Sequence, residues 1–127
     1  WVVGFMPNLP EAVIGMLAAT SIGAVWSSCS PDFGVEGTLD RFGQIEPKVL
    51  ITANGCLYNG KEFDSLEVIE NVLSKINSVK RVIIVPFIKS YSKIVNIEKS
   101  ISFLRLNSEA YFSKSLMDKS YRSSVFR

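Results

Sequence analysis

Met6-Pro7-Asn8-Leu9-Pro10-Glu11-Ala12-Val13-Ile14-Gly15-Met16-Leu17-Ala18-Ala19-Thr20-Ser21-Ile22-Gly23 decides how the chain folds. Asn8 stands three residues before Glu11, the spacing at which a side-chain oxygen accepts an orphan amide hydrogen and the carboxylate reaches back. Pro10 falls in the first turn, where its missing N–H costs nothing. The helix that follows is apolar nearly all round. Such a helix is expected to be sandwiched between layers, not laid on a surface, so a charge at Met16 is expected to abolish folding. Gly23 supplies the left-handed residue that ends it.

Outward from this helix the chain alternates. Val2–Met6 is a short apolar run stopped by Pro7, as in a buried strand. Ala24–Ser27 reads as a second strand, and residues 28–34 (Ser-Cys-Ser-Pro-Asp-Phe-Gly) have the chemistry of a loop at its carboxyl end. Leu39, Phe42 and Ile45 set an apolar stripe on a second helix that stops before Pro47. Val49–Thr52 is a third strand, and Asn54-Gly55 opens a second loop running to about Phe63. Asp64 and Glu67 repeat the capping spacing ahead of Leu66, Ile69, Val72, Leu73 and Ile76, which follow the helical period. Arg81–Val85 is a fourth strand, ended by Pro86. Alternation of this kind predicts an α/β fold, a partial parallel sheet in the order βαβαβαβ with helices on both faces and right-handed crossovers. Past Ile88 the pattern decays, and Ile94, Ile97, Ile101 and Leu104 fit one amphipathic helix.

Composition narrows the function. The chain has 127 residues, one domain's worth, with 14 basic and 12 acidic side chains. No basic block accumulates, so there is no electrostatic footprint for nucleic acid. The absence of histidine excludes His-dependent triads and His-ligated metal centres within these residues. Cys29 and Cys56 fit neither a disulfide framework nor a paired zinc motif, and no metal site is expected. Twenty uncharged residues lie between Glu11 and Asp32, but Gly15, Gly23, five hydroxyl side chains and the missing cationic flanks argue against a membrane span. Trp1 opens in mid-strand with no leader pattern, so the sequence is expected to be a fragment. Composition shifts near Pro86: residues 1–85 hold 6 basic and 9 acidic side chains, residues 86–127 hold 8 and 3 with ten serines. A partial α/β domain over 1–88 and a divergent, poorly ordered serine-rich tail over 89–127 are expected.

Ligands of open parallel sheets bind at the carboxyl ends of the strands, which points to the loops at residues 28–34 and 54–61. Neither carries a Walker or GxGxxG pattern. Cys29 is a nucleophile only if something other than histidine activates it, and otherwise a buried thiol. Asp32 is a general base or a turn-capping carboxylate. Lys61, after Asn59-Gly60, meets a phosphate as a point charge or is solvated. Tyr58 is a stacking surface or a cover for the sheet edge.

Three stretches carry a further likeness. Met6–Ala12, Met16–Gly34 and Leu39-Asp40-Arg41-Phe42-Gly43-Gln44-Ile45-Glu46-Pro47-Lys48-Val49-Leu50 resemble the acetoacetate–CoA ligases of the acyl-adenylate-forming superfamily. The resemblance covers residues 1–88, a part of the N-terminal domain in that family. It implies a cytosolic ligase that joins acetoacetate to CoA in two steps. The carboxylate attacks the α-phosphate of ATP with Mg²⁺ offsetting charge, pyrophosphate leaves, and the CoA thiol attacks the acyl-adenylate. A ligase for another short acyl acid such as acetate or propionate, and a non-catalytic α/β interaction module, are the alternatives. The family's phosphate loop and catalytic lysine do not occur in these residues, so no catalytic residue is assigned, the rest of the ligase chain is the implied partner, and tight cofactor binding by this chain alone is not expected. In acetyl-CoA relatives the loop after the Ile-Thr-Ala strand presents two basic residues, three apart, to the CoA nucleotide. Here Tyr58 and Lys61 hold those positions. Ser30-Pro31-Asp32 aligns with the Gly-Gly segment that approaches the same nucleotide, so the resemblance implies Lys61, Tyr58 and Asp32 as cofactor-binding residues.

Overall fold

In the computed structural model, which describes residues 1–88 and 100–102, the core is a five-stranded sheet with every pairing parallel. β1 (Val2–Phe5), β2 (Trp26–Cys29), β3 (Val49–Ala53), β6 (Arg81–Val85) and β7 (Ser100–Ser102) run in the order β2-β1-β3-β6-β7. β1 is an interior strand: Val3 lies opposite Ser27 on one side and Leu50 on the other. The order fixes where the helices go. β1 to β2 steps one way and β2 to β3 steps back over it, so right-handed crossovers place α1 (Pro10–Ser21) on one face and α2 (Gly34–Gly43) on the other. α3 (Ser65–Lys75), between β3 and β6, shares the side of α2. The expected α/β class with helices on both faces is what the chain adopts.

Alternation along the strands divides the core accordingly. Val3, Phe5, Leu50 and Val82 point toward α2 and α3, where they meet Phe42, Leu66, Ile69 and Val72. Val2, Trp26, Val49, Ile51, Ile83 and Val85 point to the α1 side with Met6 and Ala12. α1 comes close because Gly15 has no side chain: a Cβ there would lie 3.0 Å from Ile51 Cδ1 and 3.2 Å from Trp26 Cη2.

Several local readings change. With Pro10 at the first helical position, Leu9 is the N-cap and its side chain makes no cap bond, so Asn8 lies one residue too early for the expected box. Glu11 remains in the first turn, where the helix dipole favours a carboxylate. At the other end Gly23, at φ +78°, donates to Thr20 O while Ala24 donates to Ala19 O, a Schellman closure. That closure uses Ala24, and β2 consequently begins at Trp26 and runs on through Cys29. Asp64 caps α3 as expected, accepting from Leu66 N at 2.8 Å. Residues 54–63, expected as a loop, form most of an antiparallel hairpin of β4 (Gly55–Tyr58) and β5 (Lys61–Asp64). Of the helix expected through Ile94, Ile97, Ile101 and Leu104, residues 100–102 are instead strand β7, and the rest lies outside the described residues, as does the remainder of the expected tail.

α1 also departs from the sandwich expected of it. Only Gly15 and Ala19 are buried, while Met16 is 38 % and Leu17 58 % exposed. On this chain by itself Met16→Asp is therefore expected to cost only about 1 kcal/mol, the scale of a half-exposed site, and a thermal melt of the variant measures it; complete unfolding would contradict the packing described. Among the described residues no helix is long and apolar enough to cross a membrane.

Candidate functional site

The strand order reverses at β1, and the crevice at the carboxyl ends of strands beside such a reversal is where ligands enter open α/β sheets. A cavity of about 550 Å³ opens there. Phe5, Pro7 and Asn8 line it from the end of β1, Ser30, Pro31 and Asp32 from the end of β2, and Cys56, Leu57, Tyr58 and Phe63 from the hairpin. Asp64, Ser65 and Val68 close it from the start of α3. Asn8, released from the capping role, thus becomes part of the wall.

The expected site residues divide between the wall and its rim. Asp32 sits in a short 3-10 turn (Pro31–Phe33), and it and Tyr58 line the same cavity. Lys61 is exposed and is not part of the wall. It stands directly opposite Tyr58 across the hairpin, and directly opposed residues share one face of the ribbon. Asn59 at φ 48° and Gly60 at φ 73° supply the two left-handed residues that such a tight turn demands. The spacing of three between Tyr58 and Lys61 is thereby converted into side-by-side placement at the cavity rim.

Electrostatically the wall is one-sided. Asp32 and Asp64 are its charged members, and no cation joins them among the lining residues. Phe5, Leu57, Tyr58, Phe63 and the two prolines make most of the rest apolar, beside the neutral polar Asn8, Ser30 and Ser65, a surface suited to a flat ring and to hydroxyl or amine hydrogens that carboxylates accept. A phosphate fits that wall poorly. Its charge would have to meet Lys61 outside it. No group of three or more metal-ligating side chains occurs among the described residues.

Cys29 is turned into the core between the sheet and α2. Its Sγ lies 3.8 Å from Thr38 Oγ1, which in turn donates to Gly34 O at 2.6 Å. Burial pushes the thiol above its ordinary value of 9.0, outweighing the Thr38 contact and the Arg41 charge. The neutral thiol is thus the species the fold holds, and its contribution to stability is complete below the unfolded value and lost as pH rises through the elevated folded one. The difference in urea midpoint between the native chain and Cys29→Ala is accordingly expected to stay constant through neutral pH and to shrink above about pH 9; a difference that grows there would contradict this. Of the two readings of Cys29, the buried thiol holds.

Comparison with known proteins gives a consistent picture. No protein-family model matches the chain. The acetoacetyl-CoA synthetase of Macaca fascicularis is 50 % identical over 93 residues, covering 73 % of this chain and 14 % of its own. The acetoacetyl-coenzyme A synthetase of Rhizobium meliloti is 60 % identical over 63 residues, 50 % of this chain and 10 % of the relative. The solved acetoacetyl-CoA synthetase of Streptomyces lividans superposes with a TM-score of 0.74 at 36 % identity, covering 83 % of this chain and 16 % of that one. The chain therefore spans about one-seventh of the length of the curated relatives it matches. By sequence and by fold alike, it belongs over that span to the acetoacetyl-CoA synthetase family.

Proposed function

We propose that this chain is a segment of the N-terminal domain of a cytosolic, ATP-dependent acetoacetate–CoA ligase, and that its cavity receives the nucleotide end of CoA. The whole reaction converts acetoacetate, ATP and CoA to acetoacetyl-CoA, AMP and pyrophosphate. The observation that carries the reading is the placement of Tyr58 and Lys61 as an opposed pair at the hairpin tip, with Tyr58 and Asp32 on one wall. Tyr58 offers its ring as a stacking plane, Asp32 accepts from a hydroxyl or amine, and Lys61 meets a phosphate at the rim. ATP, Mg²⁺ and the acid are left to the rest of the ligase chain, because no residue described here forms a phosphate loop or a metal site. The relatives favour an acetoacetate ligase over a ligase for acetate or propionate and over a non-catalytic module.

In the full-length ligase, Lys61→Ala is expected to raise the KM for CoA about fivefold, the ~1 kcal/mol of one exposed charge on a phosphate. Acetoacetate-dependent exchange of pyrophosphate into ATP, which needs no CoA, stays unchanged. An unaltered KM removes Lys61 from the site.

A further inference from the structure

We propose that Ser65 determines how the cavity reads its ligand: the hydroxyl turns into the cavity and hydrogen-bonds the edge of the nucleotide's adenine base. This rests on the cavity being the seat of the CoA nucleotide, and it places the base inside and the phosphates at the rim.

Buried polar side chains are normally paired. Thr38 donates to Gly34 O, Thr52 donates to Ala53 O, and Asn54 bonds Phe87 and Ile88. Ser65 is the exception in the cavity wall: it is 3 % exposed, and its Oγ has no hydrogen-bond partner among the described residues. Ser78 Oγ is equally unpaired but stands outside the wall. The backbone at Ser65 is pinned from both sides. Asp64 before it caps α3, and Leu66 after it is held in the core. The hydroxyl therefore moves by one torsion alone, among its three staggered positions.

The chemistry of the wall selects the part of the ligand that enters. Asp32 and Asp64 line it and repel phosphate, whereas Lys61 stands at the rim. With the phosphates held there, the base at the far end of the sugar points inward to Phe5 and Phe63. The edge of adenine sets an amine, which donates, beside ring nitrogens, which only accept. A carboxylate takes the amine and offers a ring nitrogen nothing; a hydroxyl donates to it. Asn8, Ser30 and Tyr58 also carry donors, but they are exposed and exchange a bond to water for a bond to ligand. Ser65 Oγ is out of reach of water and gives up no such bond. A site with a buried donor of this kind disfavours any ligand that leaves it unpaired.

Competition with CoA in the full-length ligase tests the assignment, with adenosine 3′,5′-bisphosphate and the same compound lacking its base, 1-deoxyribose 3,5-bisphosphate. Ser65→Ala is expected to raise the inhibition constant of the nucleotide about tenfold, the loss of one buried hydrogen bond, and to leave that of the baseless compound unchanged. In this chain by itself the same substitution is expected to raise Tm by about 4 °C, because it removes a buried hydroxyl that no group pairs. A Tm that falls shows the hydroxyl paired within the fold and overturns the proposal. So does an unchanged constant for the nucleotide. An equal rise for both compounds assigns the hydroxyl to the sugar or the phosphates and overturns it as well. A native ligase that the nucleotide does not inhibit removes the CoA reading together with this one, whereas native inhibition indifferent to Ser65→Ala removes the role of Ser65 alone.

Discussion

Replacing Asn54 with leucine is expected to destabilise the chain by about 3–5 kcal/mol, close to the whole stability of a small domain. Asn54 is buried at the carboxyl end of β3, and its carboxamide clamps the exit of β6. Oδ1 accepts from Phe87 N and Ile88 N, each at 2.8 Å, and Nδ2 donates to Ile88 O at 2.9 Å. Its own N–H extends the ladder to Val85 O at 3.0 Å. Leucine is of similar size and leaves two amide hydrogens and a carbonyl without partners, each costing about 1–3 kcal/mol where water cannot reach. Asn54→Asp, which keeps the acceptor and loses the donor, is expected to lie between the two. Urea denaturation of both variants measures this. A loss under about 1 kcal/mol for the leucine variant would show that the clamp contributes little.

Gly4→Val is expected to cost about 3 kcal/mol or more, the upper range for overpacking. Gly4 is on the interior strand β1, and a Cβ there would lie 2.6 Å from Trp26 Cζ2 and 2.7 Å from Cη2. The indole has little room to retreat toward α1, since its Cη2 and Cζ3 would lie only 3.2 and 3.4 Å from a Cβ on Gly15. Valine adds two methyls to that clash. Trp26→Leu in the Gly4→Val background should recover part of the loss, because it removes the obstructing ring; a melt of the single variant within about 1 kcal/mol of native would mean that the ring is free to move.

Local signals account for the parts of this fold that were legible from residues alone. β6 is legible with its observed bounds, Arg81–Val85, because a β-branched run meets a proline. α3 was legible from Asp64 and the helical period of Leu66, Ile69 and Val72. The two Asn-Gly pairs were not separable in that way. Asn59-Gly60 makes the tight turn, whereas Asn54 is committed to Phe87 and Ile88, more than thirty residues on. No local window contains that partner, so the hairpin read as a loop. The cap of α1 failed for a related reason: Pro10 fixes where the helix begins, and this outranks the spacing between Asn8 and Glu11. The bare side of α1 was hidden because an all-apolar helix reports that it is to be covered, not which chain segment covers it. At the site, Tyr58, Lys61 and Asp32 stand out from their loops, the resemblance alone implies their cofactor-binding role, and the hairpin supplies the geometry that relates Tyr58 to Lys61. Asn8, Asp64 and Ser65 joined the wall without any motif to announce them, since only the folding of α3's start against the ends of β1 and β2 brings them there.

The account turns on a nucleotide entering at the carboxyl edge of the sheet, and amide chemical shifts during titration with adenosine 3′,5′-bisphosphate, the nucleotide end of CoA, test this directly. The opposite edge is a natural control, because Lys48, Lys80 and Arg81 gather there, where Lys80 N and Arg81 N bond Lys48 O. Shifts centred on Asp32, Tyr58 and Lys61, saturating weakly in the millimolar range of a segment working alone, are the predicted result. Shifts confined to the Lys48–Lys80 edge, or none at all, would contradict it.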